Sequence, residues 1–112
     1  MSINSTSEII KSLKKGEMVI IMDDENRENE GDLVIASQFV KAKDINFMAS
    51  HAKGLICLTL TNEKCKKLGL PLMNNLNDSL KSTNFTISID AAEGISTGIS
   101  ASDRAKTIRK AV

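Results

Sequence analysis

The sequence predicts an α/β or mixed α+β domain in which a mixed sheet is flanked by helices. Apolar residues recur at helical spacing in several segments, and short apolar or alternating runs that are typical of strands lie between them. Basic residues, glycines and one proline follow the predicted helices, as expected at helix ends. With 112 residues, 41% of them hydrophobic, the chain can form one core and is at most one domain.

The N-terminal part of the chain predicts one helix and two strands. Ser5 or Ser7 can cap a helix that ends at Lys14–Gly16, because basic residues and then glycine favour a helix C-terminus. The continuous apolar run Met18–Met22 predicts a strand that is buried on both faces. A second buried strand is predicted over Leu33–Ala36.

The middle of the chain predicts two more helices and two more strands. A helix is expected from about Lys43 to Ala52, followed by a strand over Leu55–Leu60. Asn62 can cap a short helix that ends at Lys67. The residues from Met73 to Thr83 predict a polar loop, and the alternation in Phe85–Ile89 predicts a half-buried strand.

The C-terminal part predicts a small-residue loop over Gly94–Ser100 and a last helix capped by Ser102 or Asp103. The sequence stops at Val112 without glycine, proline or a polar cap. This pattern is unusual for a helix end, and we expect residues 1–112 to be one partial domain that is truncated at its C-terminus.

The segment Asp23–Asp32 carries six carboxylates and one arginine between two predicted strands. In an extended backbone, Glu28, Glu30 and Asp32 share one face. Such a cluster predicts a divalent-metal site or an acid/base site, because the carboxylates repel one another unless a cation or a proton separates them. The alternative is a solvated surface loop. A calcium loop is excluded, since Ser37 stands where a bidentate glutamate is needed.

Several motifs resemble one family, in order, from about Lys14 to the last residue. The run DDENRENEGD at residues 23–32, followed by LVIAS, resembles the signature of 3,4-dihydroxy-2-butanone 4-phosphate synthase. Further resemblances are HAKGLIC at residues 51–57, LPLM at residues 70–73, and the block from Phe85 that contains AAEG, STGIS and DRA. The resemblance implies the first half of a synthase domain. The parent protein can be monofunctional or fused to a GTP cyclohydrolase II domain.

The resemblance implies a lyase of riboflavin biosynthesis that converts D-ribulose 5-phosphate to 3,4-dihydroxy-2-butanone 4-phosphate and formate. It also implies Mg²⁺, or Mn²⁺, as the cofactor, and a homodimer. By position, Glu28 matches the metal-ligating glutamate and also contacts substrate, and Arg27 matches a substrate-contacting arginine. Glu30 and Asp32 match carboxylates that handle substrate hydroxyls and protons. The remaining substrate-binding matches are a phosphate-contacting threonine and a pocket-lining cysteine, Thr97 and Cys57.

One motif of the family has no counterpart here. The Gly-His-Thr-Glu block, which supplies the metal-binding histidine, is not found, and His51 does not occupy that position. We therefore expect His51 to be a surface or helix-terminal residue. The alternative function is a phosphosugar- or metal-binding fragment without turnover. A purely structural role would leave the acidic segment and the Thr97 loop unexplained.

Composition argues against several partners. The 15 basic residues nearly cancel the 14 acidic ones, and there are three Phe with neither Trp nor Tyr, which argues against nucleic-acid and membrane-surface binding. Cys57 and Cys65 are expected to be reduced thiols, which, without a signal peptide or a long apolar run, predicts a cytoplasmic protein. Open sheet edges are expected to make the fragment self-associate or fold marginally.

Overall fold

A computed structural model describes residues 3–74 and 83–112. Helices make up most of the regular secondary structure in the described residues, with one two-stranded antiparallel sheet near the N-terminus. In chain order the elements are α1 (Thr6–Lys14), β1 (Val19–Met22), β2 (Gly31–Val34), a 3₁₀ turn (Ser37–Phe39), α2 (Ala42–Phe47) with a π-helical extension (Met48–Ala52), α3 (Asn62–Leu68) and α4 (Ala101–Ala111).

The first helix begins and ends where the sequence predicts. The Ser5 side chain accepts a hydrogen bond from the Glu8 backbone N–H, and the Glu8 carboxylate accepts one from the Ser5 backbone N–H at 2.8 Å. This reciprocal pair is a capping box. After α1, Gly16 adopts a φ of 82°, and a Cβ there would lie 3.0 Å from Cγ of Phe39, closer than ordinary van der Waals contact. Only glycine lets the chain turn this close to the 3₁₀ segment.

The sheet consists of β1 and β2, paired from Val19 opposite Val34 to Met22 opposite Gly31. The prediction that β1 is buried on both faces is wrong. Val19 is buried, but Ile20 is 62% exposed and Met22 is 56% exposed. Among the described residues no third strand or helix covers the tip of this hairpin, so its apolar side chains remain in contact with solvent. β2 is half-buried at its C-terminal end and exposed at its start.

The predicted helix from about Lys43 to Ala52 is confirmed, with one irregularity. The α-helical part ends at Phe47, and the chain continues for five residues as a π-helix that ends at Lys53 in the left-handed conformation. His51 lies exposed in this last turn, with its ring centroid 4.4 Å from that of Phe47. The expectation of a helix-terminal surface histidine is therefore confirmed.

Two predicted strands are not strands in the described residues. Burial alternates along Leu55–Leu60, as in a strand, but none of the backbone hydrogen bonds between described residues involves this segment. Phe85–Ile89 contributes only an isolated bridge, from Thr86 to Leu72. Periodicity reports the environment of side chains, whereas a strand also requires a hydrogen-bonding neighbour. The predicted polar loop from Met73 to Thr83 falls largely outside the described residues.

The N-cap of the third helix lies one residue before the predicted one. Thr61, and not Asn62, is the N-cap, since its hydroxyl accepts a hydrogen bond from the Lys64 backbone N–H at 3.1 Å. Gly69 ends the helix with a φ of 67°. The predicted end at Lys67 is one residue short of Leu68, the observed last residue of the helix.

The core lies where α4 packs on α2. Val40, Ile45 and Ala105 are almost completely buried there, and partly buried aliphatic side chains from three segments surround them: Ile35, Ile56, and Ala101 and Ile108 of α4. Arg109 in α4 donates a hydrogen bond from Nη1 to the Val40 carbonyl at 2.7 Å, which fixes α4 against the entry to α2. The acidic segment joins β1 to β2, and the Gly94–Ser100 loop leads directly into α4.

Within the described part of the chain, no helix combines the length and the apolar character needed to cross a membrane.

Candidate active site

Asp23 organises the acidic loop that joins β1 to β2. One of its carboxylate oxygens, Oδ2, accepts hydrogen bonds from the Arg27 Nη1 at 2.9 Å and from the Glu28 backbone N–H at 3.1 Å. The other, Oδ1, accepts from the Glu30 backbone N–H at 2.8 Å. A single carboxylate thus gathers three donors that are four to seven residues away along the chain.

Asp24 forms the turn at the tip of the same loop. Its Oδ1 accepts a hydrogen bond from the Asn26 backbone N–H at 2.7 Å, and its carbonyl accepts from the Arg27 and Asn29 backbone N–H groups at 3.0 and 3.3 Å. Asn29 then adopts a φ of 51°, a conformation that asparagine tolerates better than most residues. These two aspartates turn the chain back toward β2.

The prediction of an extended backbone is therefore wrong for the tip of the loop, because residues 25–28 form a turn. Asp32 lies inside β2, opposite Ile21, whereas Glu28 and Glu30 precede the strand. The alternation that would align Glu28 with Asp32 is lost at the turn. In residues 3–74 and 83–112 no three acidic, histidine or cysteine side chains form a group that could hold a metal ion.

The side chains with predicted roles in this loop point to solvent. Arg27 and Glu28 keep 68% and 58% of their side-chain surface exposed, and Arg27 Nη2 lies 3.5 Å from Glu28 Oε1. Glu30 and Asp32 are also exposed. The loop therefore has an inner carboxylate, Asp23, that shapes it, and an outer set of charged groups that can meet a ligand.

The hydrogen bonds to Asp23 also affect its protonation. The Glu30 backbone N–H, followed by the Glu28 N–H and the Arg27 guanidinium, holds the pKa of the Asp23 carboxyl below its usual value, against the opposing effect of partial burial. Asp23 is therefore an ionised framework group at neutral pH and is poorly suited to exchange protons there.

Asp103 organises the second candidate loop, Gly94–Ser100. Its Oδ2 accepts hydrogen bonds from the Ser96 backbone N–H at 3.0 Å, the Ser96 hydroxyl at 2.8 Å and the Gly98 backbone N–H at 3.1 Å. These donors flank Thr97 on both sides. Asp103 is only 6% exposed, and the Ser96 hydroxyl, before the other donors, lowers the pKa of its carboxyl.

The cap of α4 differs from the prediction of Ser102 or Asp103. Ser100 is the N-cap, and its hydroxyl accepts a hydrogen bond from the Asp103 backbone N–H at 3.0 Å. Asp103 is the third residue of the helix and turns its carboxylate back onto the loop. The pattern Ser-x-x-Asp, which is a recognised helix-start signal, identifies Ser100 in the sequence.

Two more residues of α4 hold the chain that leads into this loop. The Thr107 hydroxyl accepts a hydrogen bond from the Ala91 backbone N–H at 3.1 Å, and Lys106 donates from Nζ to the Gly94 carbonyl at 2.9 Å. Gly98 is buried with a φ of 84°, and a Cβ there would collide with the Asp90 carboxylate. The loop is thus fixed against one helix at four points.

The other predicted site residues have simpler surroundings. Thr97 is exposed at the apex of the loop that Asp103 holds. Cys57 lies in the predicted strand Leu55–Leu60, which is not a strand here, and its thiol is exposed. Cys57 and Cys65 are both free thiols, as predicted.

A family model described as 3,4-dihydroxy-2-butanone 4-phosphate synthase matches residues 7–112. Among curated relatives of that name, the Pseudomonas aeruginosa protein is 55% identical over 111 residues, covering 99% of this chain and 30% of the relative. The Helicobacter pylori protein is 54% identical over 108 residues, covering 96% of this chain and 31% of the relative. The chain therefore spans about a third of the length of these relatives.

Solved structures give the same result for the fold. A two-domain synthase of this name from A. baumannii is 59% identical, with a TM-score of 0.87 over 97% of this chain and 32% of that one. A synthase in complex with two magnesium ions is 41% identical, with a TM-score of 0.92 over 97% of this chain and 51% of that one. The predicted fold class is confirmed by these neighbours.

Proposed function

Because the chain belongs to the 3,4-dihydroxy-2-butanone 4-phosphate synthase family, we propose that it takes part in the conversion of D-ribulose 5-phosphate to 3,4-dihydroxy-2-butanone 4-phosphate and formate. The observation that carries the proposal is the match of residues 7–112 to the family model together with 55% identity to a curated synthase. The chain spans 30% of that relative, so these residues supply part of the active site.

The acidic loop supplies the polar groups of the proposed reaction. Arg27 binds substrate oxygens, and Glu30 and Asp32 accept and return protons at the sugar hydroxyls. All three side chains are exposed. The Arg27 guanidinium donates a hydrogen bond to the Asp23 carboxylate, whereas the carboxylates of Glu30 and Asp32 make no hydrogen bond with it. Proton transfer needs carboxylates within reach of the substrate hydroxyls, and the Glu30 and Asp32 side chains are exposed.

Glu28 is the proposed ligand of Mg²⁺ or Mn²⁺ and also touches the substrate. Its carboxylate is a hard oxygen donor that is 58% exposed and has one cationic neighbour, Arg27. Mg²⁺ commonly keeps several waters and takes only one or two protein carboxylates, so this donor fits the ion without a three-ligand cluster. When bound, the ion polarises substrate oxygens and stabilises negative charge that develops on them.

Thr97 and Cys57 complete the proposed contacts with substrate. The Thr97 hydroxyl lies in a loop whose neighbouring residues are fixed to the start of an 11-residue helix. The positive end of that helix favours a phosphate group. Cys57 is an exposed thiol. Its proposed role is to line the approach to the site, and it does not act as a nucleophile. A cytoplasmic homodimer belongs to the same proposal, and the two free thiols support a reducing compartment.

The test is a turnover assay on two proteins. Formate and the four-carbon phosphate are measured from ribulose 5-phosphate with Mg²⁺, first for this chain and then for a chimaera. The chimaera carries residues 7–112 in place of the matching segment of the Pseudomonas aeruginosa synthase. Product from the chimaera, and its loss on adding EDTA, supports the proposal. A well-folded chimaera without product contradicts it, provided that the parent synthase is active in the same assay.

A second candidate function is a binding fragment without turnover. It is favoured by the coverage, because this chain spans only 30% of the Pseudomonas aeruginosa relative. The same assay separates the two functions. A chain that binds ribulose 5-phosphate by calorimetry, but gives no formate alone or in the chimaera, would be such a fragment.

A further inference from the structure

Asp103 has no role in the proposed chemistry, yet it is one of two buried polar side chains in the described residues. It makes no ion pair there, and its hydrogen-bond donors at Oδ2 all come from Ser96 and Gly98. A buried carboxylate is costly unless it is well hydrogen-bonded. This arrangement indicates that the loop, and not the helix alone, depends on Asp103.

The three donors fix both sides of Thr97. With the Ser96 and Gly98 N–H groups turned inward to the carboxylate, the intervening residue is turned outward, and Thr97 is exposed. Gly98 can follow this path because glycine adopts a φ of 84° without steric cost. The carboxylate therefore sets the direction in which the Thr97 hydroxyl and backbone N–H point.

We infer that Asp103 is a positioning residue that holds the Ser96–Gly98 loop in the conformation that receives the phosphate group of the substrate. The inference rests on the proposed function, because it assumes that Thr97 contacts the phosphate. Asp103 itself carries negative charge, which repels a phosphate group. It acts through the loop, by removing the conformational entropy that binding would otherwise have to overcome.

The test is a titration of the ¹⁵N-labelled chain with ribulose 5-phosphate, followed by the amide resonances of Thr97 and Gly98. Unphosphorylated ribulose is the matched ligand, and it isolates the contribution of the phosphate. In Asp103→Asn we expect the Kd for ribulose 5-phosphate to rise about tenfold or more, in line with the loss of charge-assisted hydrogen bonds. The response to ribulose should not change.

Thr107→Val is the matched control, because Thr107 lies one turn further along α4, is also buried, and ties Ala91 rather than the Ser96–Gly98 loop. This variant should melt at a lower temperature and keep its Kd within about twofold. It removes the Thr107 hydroxyl's bonds to the Ala91 N–H and to the Asp103 carbonyl, but it leaves the three donors to the Asp103 carboxylate in place. An equal loss of affinity in Thr107→Val would overturn the positioning role, because the effect would then follow stability alone.

Ser96→Ala covers the case in which Asp103→Asn does not fold. It removes the hydroxyl donor at 2.8 Å and keeps both backbone donors, so a loss of affinity of about threefold is expected from one weakened hydrogen bond. Unchanged affinity in both folded variants would overturn the inference.

A wild-type chain that binds ribulose 5-phosphate no better than ribulose would overturn the phosphate role of Thr97 and the inference with it. Phosphate-dependent binding without turnover in the chimaera would overturn the proposed enzyme and leave this inference standing.

Discussion

The acidic loop and the Gly94–Ser100 loop are built on the same principle in different surroundings. In each, one aspartate accepts hydrogen bonds from backbone N–H groups and turns the neighbouring side chains outward. Asp23 does so at the tip of an uncovered hairpin, whereas Asp103 does so at the N-terminus of a helix that packs on the core. The comparison indicates that a framework carboxylate can be supported either by its loop alone or by the core behind it.

The largest expected effect is on turnover, and it comes from changing an outer carboxylate of the acidic loop. In the chimaera, Glu28→Gln should reduce turnover about a hundredfold if Glu28 has the proposed role of metal ligand, because it removes the carboxylate charge while keeping the side-chain shape. Glu25→Gln, in the same loop, should stay within about twofold, since exposed charges contribute little when they have no partner. Equal losses in a formate assay would mean that the loop acts by net charge alone.

A smaller effect compares the two framework aspartates directly. Asp103→Ala should lower the melting temperature of the chain by roughly 10 °C, because it leaves buried donors without an acceptor. Asp23→Ala should lower it by about 2 °C, since water can replace the lost acceptor at an exposed hairpin tip. Circular dichroism melting at pH 7 measures both. A larger shift for Asp23→Ala would mean that the hairpin, and not the α2–α4 contact, limits stability.

The smallest effect concerns pH. The pKa values of Asp23 and Asp103 are both lowered in the folded chain. At a pH between the folded-state and unfolded-state pKa values, the folded state therefore binds fewer protons than the unfolded state. Their stabilisation is therefore complete above the unfolded-state pKa of about 3.9 and is lost as the pH falls through the folded-state values. The melting difference between wild type and Asp23→Asn, or Asp103→Asn, should shrink from pH 6 to pH 3. A difference that grows toward acid pH would contradict the direction of both shifts.

Local signals allowed much of the helical structure to be predicted. Helix boundaries are encoded within a few positions of the chain. Examples are Ser5 with Glu8, the basic residues before Gly16, and the periodic apolar residues after Lys43. Strands could not be predicted as well, because Leu55–Leu60 has the right alternation of burial but no hydrogen-bonding partner among the described residues. Pairing depends on distant chain segments, which periodicity does not report.

The site shows the same division. The motif predicts site roles for residues of the acidic loop that the structure shows to be exposed, but it does not predict the organising roles of Asp23 and Asp103. Asp23 resembles any other residue of an acidic run, and its partners are defined only by the fold of the turn. Asp103 could have been found from the Ser-x-x-Asp pattern, although its contacts to Ser96 and Gly98 require the loop to fold back.

The bond between Arg109 and the Val40 carbonyl joins residues that are 69 positions apart. Ala105 likewise completes a core whose other buried members, Val40 and Ile45, lie far earlier in the chain. During synthesis on the ribosome, those two side chains emerge long before the helix that covers them. The nascent chain must wait for α4 before its core can close, and closing so long a loop slows folding. During that interval the apolar core residues are uncovered, and the chain is most exposed to aggregation. A chaperone would protect the chain best at this stage.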